Sequence, residues 1–402
     1  MVWEAYLHVK RNNGGAGEDE MDLSALQADL SGQLYKVWNR LASGSYYPPR
    51  VKEVGVAKKD GGIRYLGVPT VVDRIAQQAI RSYLEPRLEA IFHDDSYAYR
   101  PGRSAHQALA KVKDRNWTYG WVVEVDIRKF FDTMPHDLLL KALRKHVDES
   151  SEGWVLMYVE RWLKAGVLKE TGEIEESRTE GTPQGGVISP LLSNLFLHYA
   201  FDAWIARDHP LLGFTRYADD IIIHCRTLDQ AKEILRLTSD RMGEVGLSLH
   251  PEKTRMVCCK SYRHPKRPAG IAVSFTFLGF KFKPKRMWSD KTRNRFLGYG
   301  CEITPTARQE KVKALKKHRS LRNTSLSLEE VAVRLNPKLR GWQSYYGHFN
   351  KRELNWVFYH LELRLTRWVQ KKYRLRTKGK AMRWLQKRRE QNPNLFYHWT
   401  LG

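Results

Sequence analysis

Leu211-Leu-Gly-Phe-Thr-Arg-Tyr-Ala-Asp-Asp-Ile-Ile-Ile223 sets a pair of adjacent carboxylates between two apolar runs, Leu211 to Phe214 and Ile221 to Ile223. The runs are strand-like, so Tyr217, Ala218, Asp219 and Asp220 are predicted to form the tip of a hairpin. Negative charge concentrated there suits divalent metal beside a phosphate chain. A third carboxylate, Asp126, ends another apolar strand, Trp121 to Val125. Alternation along Val123, Val125 and Ile127 puts Glu124 and Asp126 on the opposite face of that strand. Two-metal phosphoryl transfer needs such a trio, because the attacking oxygen, the transferred phosphate and the leaving oxygen must be neutralised together. The pattern predicts a nucleotide polymerase. Asp-Asp is also an ordinary turn dipeptide, so the surrounding sequence has to decide between the two readings.

At 402 residues the chain can form two or three domains, each with its own core. Its formal charge of +25 is unevenly spread. Residues 1–280 carry 38 Lys and Arg against 36 Asp and Glu, whereas residues 281–402 carry 31 against 8. Trp288, Trp342, Trp356, Trp368, Trp384 and Trp399 are interleaved with that basic charge, a mixture that points to a nucleic-acid surface. The clusters Lys311 to Arg322 and Lys371 to Arg389, the latter including Lys371, Lys372, Arg374 and Arg376, are expected to bind RNA phosphates. Cys225, Cys258, Cys259 and Cys301 form no C-x-x-C pair and no metal-ligand spacing, which predicts a reduced compartment without structural zinc. No apolar run approaches the roughly 20 residues that span a bilayer, and Met1 to Gly15 has no signal-like core. A cytoplasmic protein with no membrane partner is expected.

Periodicity predicts an amphipathic helix over 22–42, a strand Val51 to Ala57, a turn Lys58 to Gly62 and a helix from Asp73 to about Ile91. Strand and helix signals alternate to residue 280, an α+β pattern. From 305 the pattern is helical, over 305–322, 326–349 and 352–374. The polar stretch Lys283 to Tyr299 is the candidate boundary, and Glu170 to Glu180 reads as a polar hairpin loop.

Further runs carry a resemblance. Lys58-Lys-Asp-Gly-Gly-Ile-Arg64, Leu66-Gly-Val-Pro-Thr70, Ser96-Tyr-Ala-Tyr-Arg-Pro-Gly-Arg103 and Gly181-Thr-Pro-Gln-Gly-Gly-Val-Ile-Ser-Pro190 resemble bacterial group II intron-encoded reverse transcriptases. So do His250-Pro-Glu-Lys-Thr254, Phe277-Leu-Gly-Phe280 and Leu335-Asn-Pro-Lys-Leu-Arg-Gly-Trp342 with Tyr345 and Tyr346, in the family's order. The resemblance implies a right-hand polymerase: an N-terminal helical extension over 1–50, fingers and palm over 51–285, a helical thumb and maturase domain over 286–370, and a basic segment over 371–402. It implies an enzyme that copies RNA into DNA from deoxynucleoside triphosphates and a DNA primer or target, and that helps intron RNA splice. Asp126-Ile-Arg-Lys-Phe-Phe-Asp132 departs from the family, which often has Lys-Gly after the isoleucine. The sequence given also ends at Gly402, without the Cys-rich endonuclease domain of many relatives.

Asp126 and Asp219 are the expected ligands of two Mg²⁺ ions, Mn²⁺ being the alternative, with Asp220 a weaker ligand. The resemblance adds the Ile127 carbonyl as a ligand, Phe131 as the side chain beneath the incoming sugar where it would reject a 2′-hydroxyl, and Lys253 as a proton donor to pyrophosphate. Phe130 and Phe131 can also be read as core, at least for one of them. Lys58, Lys59 and Arg64 bracket a Gly-Gly turn that presents cations to a triphosphate. Gln184, followed by Gly185 and Gly186, and Tyr217 are counted with the substrate contacts. Arg100 and Arg103 are expected on the template backbone, and Arg340 and Trp342 on duplex or intron RNA. Two other readings stand beside this one: a relative freed from its intron and used in DNA repair or phage defence, and an RNA-binding splicing factor with a vestigial polymerase. The intact carboxylates oppose the last.

Overall fold

The strand Trp121–Asp126 alternates as its sequence requires: Val123 and Val125 are buried, while Glu124 and Asp126 lie half exposed on the other face. It pairs antiparallel with Asp220–Cys225 in a register that sets Asp126 opposite Asp220. Gly213–Tyr217 lines the far side of Asp220–Cys225, and the sheet order is completed by Arg255–Cys258 next to Trp121–Asp126. Helices Ala105–Thr118 and Leu228–Glu244 pack on this sheet. The first begins in a capping box, Ser104 with Gln107, and the second is capped by the Thr227 side chain. Sequence patterning alone thus explains why three carboxylates meet at one sheet end.

The structure, a computed structural model, describes residues 1–57, 61–259, 270–289 and 293–401. It divides into two units, Met1–Val257 and Cys258–Gly402. The first also holds a sheet ordered Ile63–Val68, Val51–Ala57, Val167–Leu168, Ile174–Glu175, the last two forming a hairpin whose loop is shorter than the one expected over Glu170 to Glu180, because Ile174–Glu175 is already a strand. Its central helix Val71–Glu89 is capped by Thr70 and buries Asp73, which accepts from Tyr46 Oη and Trp162 Nε1 at 2.8 Å each and from Gln77 Nε2 at 2.9 Å. Burial raises the Asp73 pKa, and those three bonds only moderate the rise.

The second unit contains the antiparallel strands Phe275–Phe277, Phe280–Ser289 and Asn294–Ile303, followed by helices Pro305–Lys317, Leu328–Tyr346, Asn355–Lys372 and Lys378–Gln391. Three expectations need correction. The helix over 22–42 is two, Leu23–Ala28 and Leu30–Ala42, interrupted at Asp29 where φ is −132°. The stretch Lys283 to Tyr299 is no boundary: its described residues belong to the ribbon Phe280–Ser289 with Asn294–Ile303, and the division falls at Val257. Its polar composition reflects exposure of the ribbon's side chains. The third correction is a further basic helix, Lys378–Gln391, beyond the three expected. Among the described residues no helix is long and apolar enough to cross a membrane.

His224 lies wholly buried in the carboxylate-bearing sheet, and among the described residues neither ring nitrogen has a hydrogen-bond partner. Burial, with Arg115 adding to it, holds its pKa well below 6.5. The folded imidazole is therefore neutral while the unfolded chain takes up a proton, so stability drains away as pH falls below about 6.5. His224→Leu should flatten the loss of urea midpoint between about pH 7 and pH 5 relative to wild type. Identical pH slopes for the two proteins would show that the proton is taken up elsewhere.

Candidate active site

Tyr217 pairs with Asp220 across the hairpin, leaving Ala218 and Asp219 as its turn. Ala218 has φ +57°, left-handed backbone that costs a residue with a Cβ roughly 1–2 kcal/mol. Arg216, wholly buried, restrains it. Its guanidinium donates to Asp202 through Nε at 2.7 Å and Nη2 at 2.6 Å, and through Nη1 to Asn194 Oδ1 at 3.0 Å and the Ala218 carbonyl at 3.2 Å. Asp202 closes a π-helical turn, His198–Asp202, that interrupts the helical run from Ser189 to Asp208. Asn194 donates in turn to the Ala98 carbonyl at 2.8 Å, and the Tyr97 N–H donates to the Arg216 carbonyl at 3.0 Å. Arg216, through its side chain, its own carbonyl and its partner Asn194, therefore fixes both the acidic turn and the segment Ser96 to Arg100.

The carboxylates repel one another. Crowding by the surrounding protein, then Asp219, Asp126 and Glu124, pushes the Asp220 pKa up to about 7, although the residue keeps an exposed edge. Asp219 is raised by burial and Asp126, against the pull of its own backbone N–H, Arg64 and Lys253. Lys253 Nζ stands 3.2 Å from Asp126 Oδ2 and Arg255 Nε 2.8 Å from Glu124 Oε2. Among the described residues no three His, Cys, Asp or Glu side chains close into a cage by themselves. An all-oxygen set that raises the pKa of Asp219 and Asp220 nonetheless fits a hard divalent cation. The bridge between Ile127 and Leu249 is closed by bonds from His250 N–H to the Asp126 carbonyl and from Arg128 N–H to the Ser248 carbonyl, both 2.8 Å, so the Ile127 carbonyl takes no part in it.

The loop Gly181 to Pro190 is wedged between two backbones. The Thr182 N–H donates to the Phe131 carbonyl at 2.7 Å and the Gly67 N–H to the Gln184 carbonyl at 2.8 Å. Gly185 has φ +128°, and a Cβ there would sit 2.4 Å from the Gly67 carbonyl oxygen, so this contact requires glycine. From below, Gln77 accepts the Val187 N–H at 2.8 Å, which ties the loop to buried Asp73. Arg64 Nε donates to Gln184 Oε1 at 2.6 Å and Gln184 Nε2 to Asp132 Oδ1 at 3.1 Å. Phe130 is the core ring of its pair, and Phe131 is half exposed with its edge toward it at 5.3 Å.

Asp126, Asp219, Asp220 and Lys253 are thus brought together, as are Arg64, Gln184 and Phe131 around the glycine loop. Lys58 and Lys59 lie outside the described residues. Arg100 is corrected: its side chain is 3% exposed and spends its donors on Glu89 and the carbonyls of His93 and Ser96, which leaves nothing for a template. Arg103 keeps a partly open guanidinium beside Asp94 at 2.6 Å. In the second unit, Arg340 is exposed over Tyr397, and Trp342 is half-buried near Lys311. Lys371, Arg374 and Arg376 are exposed, but Lys372 is a staple, donating to the carbonyls of Thr324 at 3.0 Å and Leu326 at 2.7 Å. Sequence reading missed Arg216, Asp202, Asn194, Asp132 and Tyr99. Only Arg216 left a signal, a charge inside an otherwise apolar strand.

A sheet ending in three carboxylates, faced by a cationic residue and a glycine loop, defines a nucleic-acid polymerase. The chain belongs to the reverse transcriptase (RNA-dependent DNA polymerase) family, which it matches over residues 56–299, and it also matches the group II intron maturase-specific domain over 308–390. It is accordingly an RNA-directed DNA polymerase joined to the domain with which group II intron proteins assist splicing; the family uses divalent metal ions, and its substrates are RNA and DNA. Protein YkfC of Escherichia coli is 33% identical over 307 residues, covering 67% of this chain and 76% of the relative. The group II intron-encoded protein LtrA of Lactococcus lactis is 26% identical over 463 aligned positions, 93% of this chain and 73% of the relative. Among solved structures, telomerase from Candida albicans aligns with a TM-score of 0.47 at 11% identity, over 88% of this chain and 68% of that one.

Breaking the buried pair should be severe, because the partner left behind is an unpaired charge. Asp202→Asn or Arg216→Met is expected to cost roughly 3–5 kcal/mol in denaturant unfolding. A loss below about 1 kcal/mol, the range of a surface pair, would mean that the pair does not hold the turn.

Proposed function

We propose that, within Met1–Val257, residues 1–50 are the helical extension and the chain from residue 51 carries the fingers and palm, and that Cys258–Gly402 carries the thumb and maturase surface. The observation that carries the catalytic reading is the register placing Asp126 opposite Asp220, one residue beyond Asp219. Asp126 and Asp219, with the Ile127 carbonyl and Asp220 in support, would hold two Mg²⁺ ions. Bound there, the ions supply charge neutralisation for the attacking, transferred and leaving oxygens. Arg64 orients the triphosphate of a deoxynucleotide while Gln184, steadied by Asp132, contacts the nascent pair. Phe131 offers the ring that excludes a 2′-hydroxyl, and Tyr217 borders the substrate. Lys253, next to Asp126 yet largely exposed, is placed to give a proton to departing pyrophosphate. Arg103, Arg340 and Trp342 are kept as nucleic-acid contacts. Intact carboxylates favour an active polymerase over a vestigial one. A role in splicing of an intron RNA follows from the maturase-specific match, and a domesticated role in repair or defence would use the same site.

Asp219→Ala and Asp126→Asn should abolish primer extension on an RNA template while leaving RNA affinity within a few-fold, since each removes a metal-binding oxygen and none of the basic surface. Near wild-type extension by either variant would sink the assignment.

In the second unit, neutralising Lys371, Arg374 and Arg376 should weaken RNA binding. It should also flatten the slope of log K against log salt by about 2 to 3 if all three meet phosphates. Adding Lys372 to the set should bring a stability loss instead of a further change in slope. An unchanged slope for the triple variant would make this a solvated face.

A further inference from the structure

Tyr99 has φ +58°, a conformation rare for a bulky side chain and costly by roughly 1–2 kcal/mol. Its neighbours leave it no way to relax. Ala98 is buried, with its carbonyl held by Asn194 at 2.8 Å, and Arg100 is locked by Glu89 and by the carbonyls of His93 and Ser96 at 2.6 and 2.7 Å. Between these two fixed residues, Tyr99 is 50% exposed, and among the described residues its phenol has no hydrogen-bond partner. Strain that leaves half of an aromatic side chain in solvent and makes no bond gives little return in stability, and such outliers cluster where a ligand is met.

Its location follows from the clamp. The Ala98 and Ala218 carbonyls are both held by the Asn194–Arg216 pair, so the next residue along each strand of chain, Tyr99 and Asp219, emerges at the same place. Burial acts on the Tyr99 phenol first, and after it Asp219, Tyr217, Arg64 and Asp220, the members of the polymerase site.

We propose that Tyr99 reads the minor-groove edge of the base pair at the primer terminus, its phenol O–H donating to the acceptor presented there. The inference rests on the polymerase reading above. The minor groove offers acceptors such as adenine N3 and thymine O2 in degenerate positions, so one neutral donor checks pairing geometry without selecting sequence. A lysine or arginine at this position would be drawn to Asp219 and Asp220, and a carboxylate would add to their repulsion. A phenol is neutral at working pH, donates, and is rigid enough to measure position.

The test uses the full chain and two primers, one ending in adenosine and one in 3-deazaadenosine, which lacks the N3 acceptor. One lost hydrogen bond should lower wild-type kcat/KM on the deaza primer by about five- to ten-fold. Tyr99→Phe should show the same loss on the ordinary primer, no further loss on the deaza primer, and an unchanged Tm. If the phenylalanine variant fails to fold, Tyr99→Gly, which tolerates left-handed backbone and carries no side-chain donor, gives the same comparison. A Tyr99→Phe enzyme that remains sensitive to the deaza substitution, or a wild type that extends both primers equally, overturns the proposal alone. Failure of the wild type to extend the ordinary primer would overturn the polymerase reading and this inference with it.

Discussion

The guanidinium of Arg216 is the group on which the site's geometry depends. Removing such a charge from water costs several kcal/mol, and two bonds to Asp202 offset that only because two more, to Asn194 and the Ala218 carbonyl, use both Nη1 hydrogens. The return is positional. A turn whose first residue is in left-handed backbone, beside carboxylates that repel each other, would otherwise relax. The helix Ser189–Leu197 that supplies Asn194 also starts where the glycine loop ends, so nucleotide loop and acidic turn share one support.

Electrostatic tension around the three carboxylates is met at the rim rather than in the core. Lys253 and Arg255 pair with Asp126 and Glu124 from exposed positions, where they are easily displaced. Among the described residues, Asp219 and Asp220 have no comparable partner beyond the reach of Arg64 and Lys253. The scaffold, not mutual attraction, holds these groups at one sheet end.

Much of this was legible in the sequence because it is local. Alternation along Val123, Val125 and Ile127 fixed the face of Asp126, and the apolar runs around Tyr217 to Asp220 fixed the hairpin. Arg100 was misjudged because arginine in a Pro-Gly loop reads as a surface cation, and nothing local reveals that Glu89 and two carbonyls receive it. Lys372 was misjudged for the same reason, its carbonyl partners lying more than 45 residues away. The break at Asp29 was hidden by leucines that keep helical spacing across it. Lys283, Lys285 and Arg286 look like linker chemistry, yet they lie where Phe280–Ser289 has run past its pairing with Phe275–Phe277, and there they keep an open strand edge from pairing with other chains.

The π-helical turn His198–Asp202 makes the catalytic centre sensitive to chain length rather than to composition. A π turn holds one residue more than α geometry allows, and each α residue turns about 100°. Deleting one of the four residues before Asp202 would restore a regular helix and swing Asp202 about a quarter-turn away from Arg216. His198 and Tyr199 are half-buried and the other three residues are buried, so the constraint on this segment is one of length as well as packing, set as chain spacing 17 residues before Asp219.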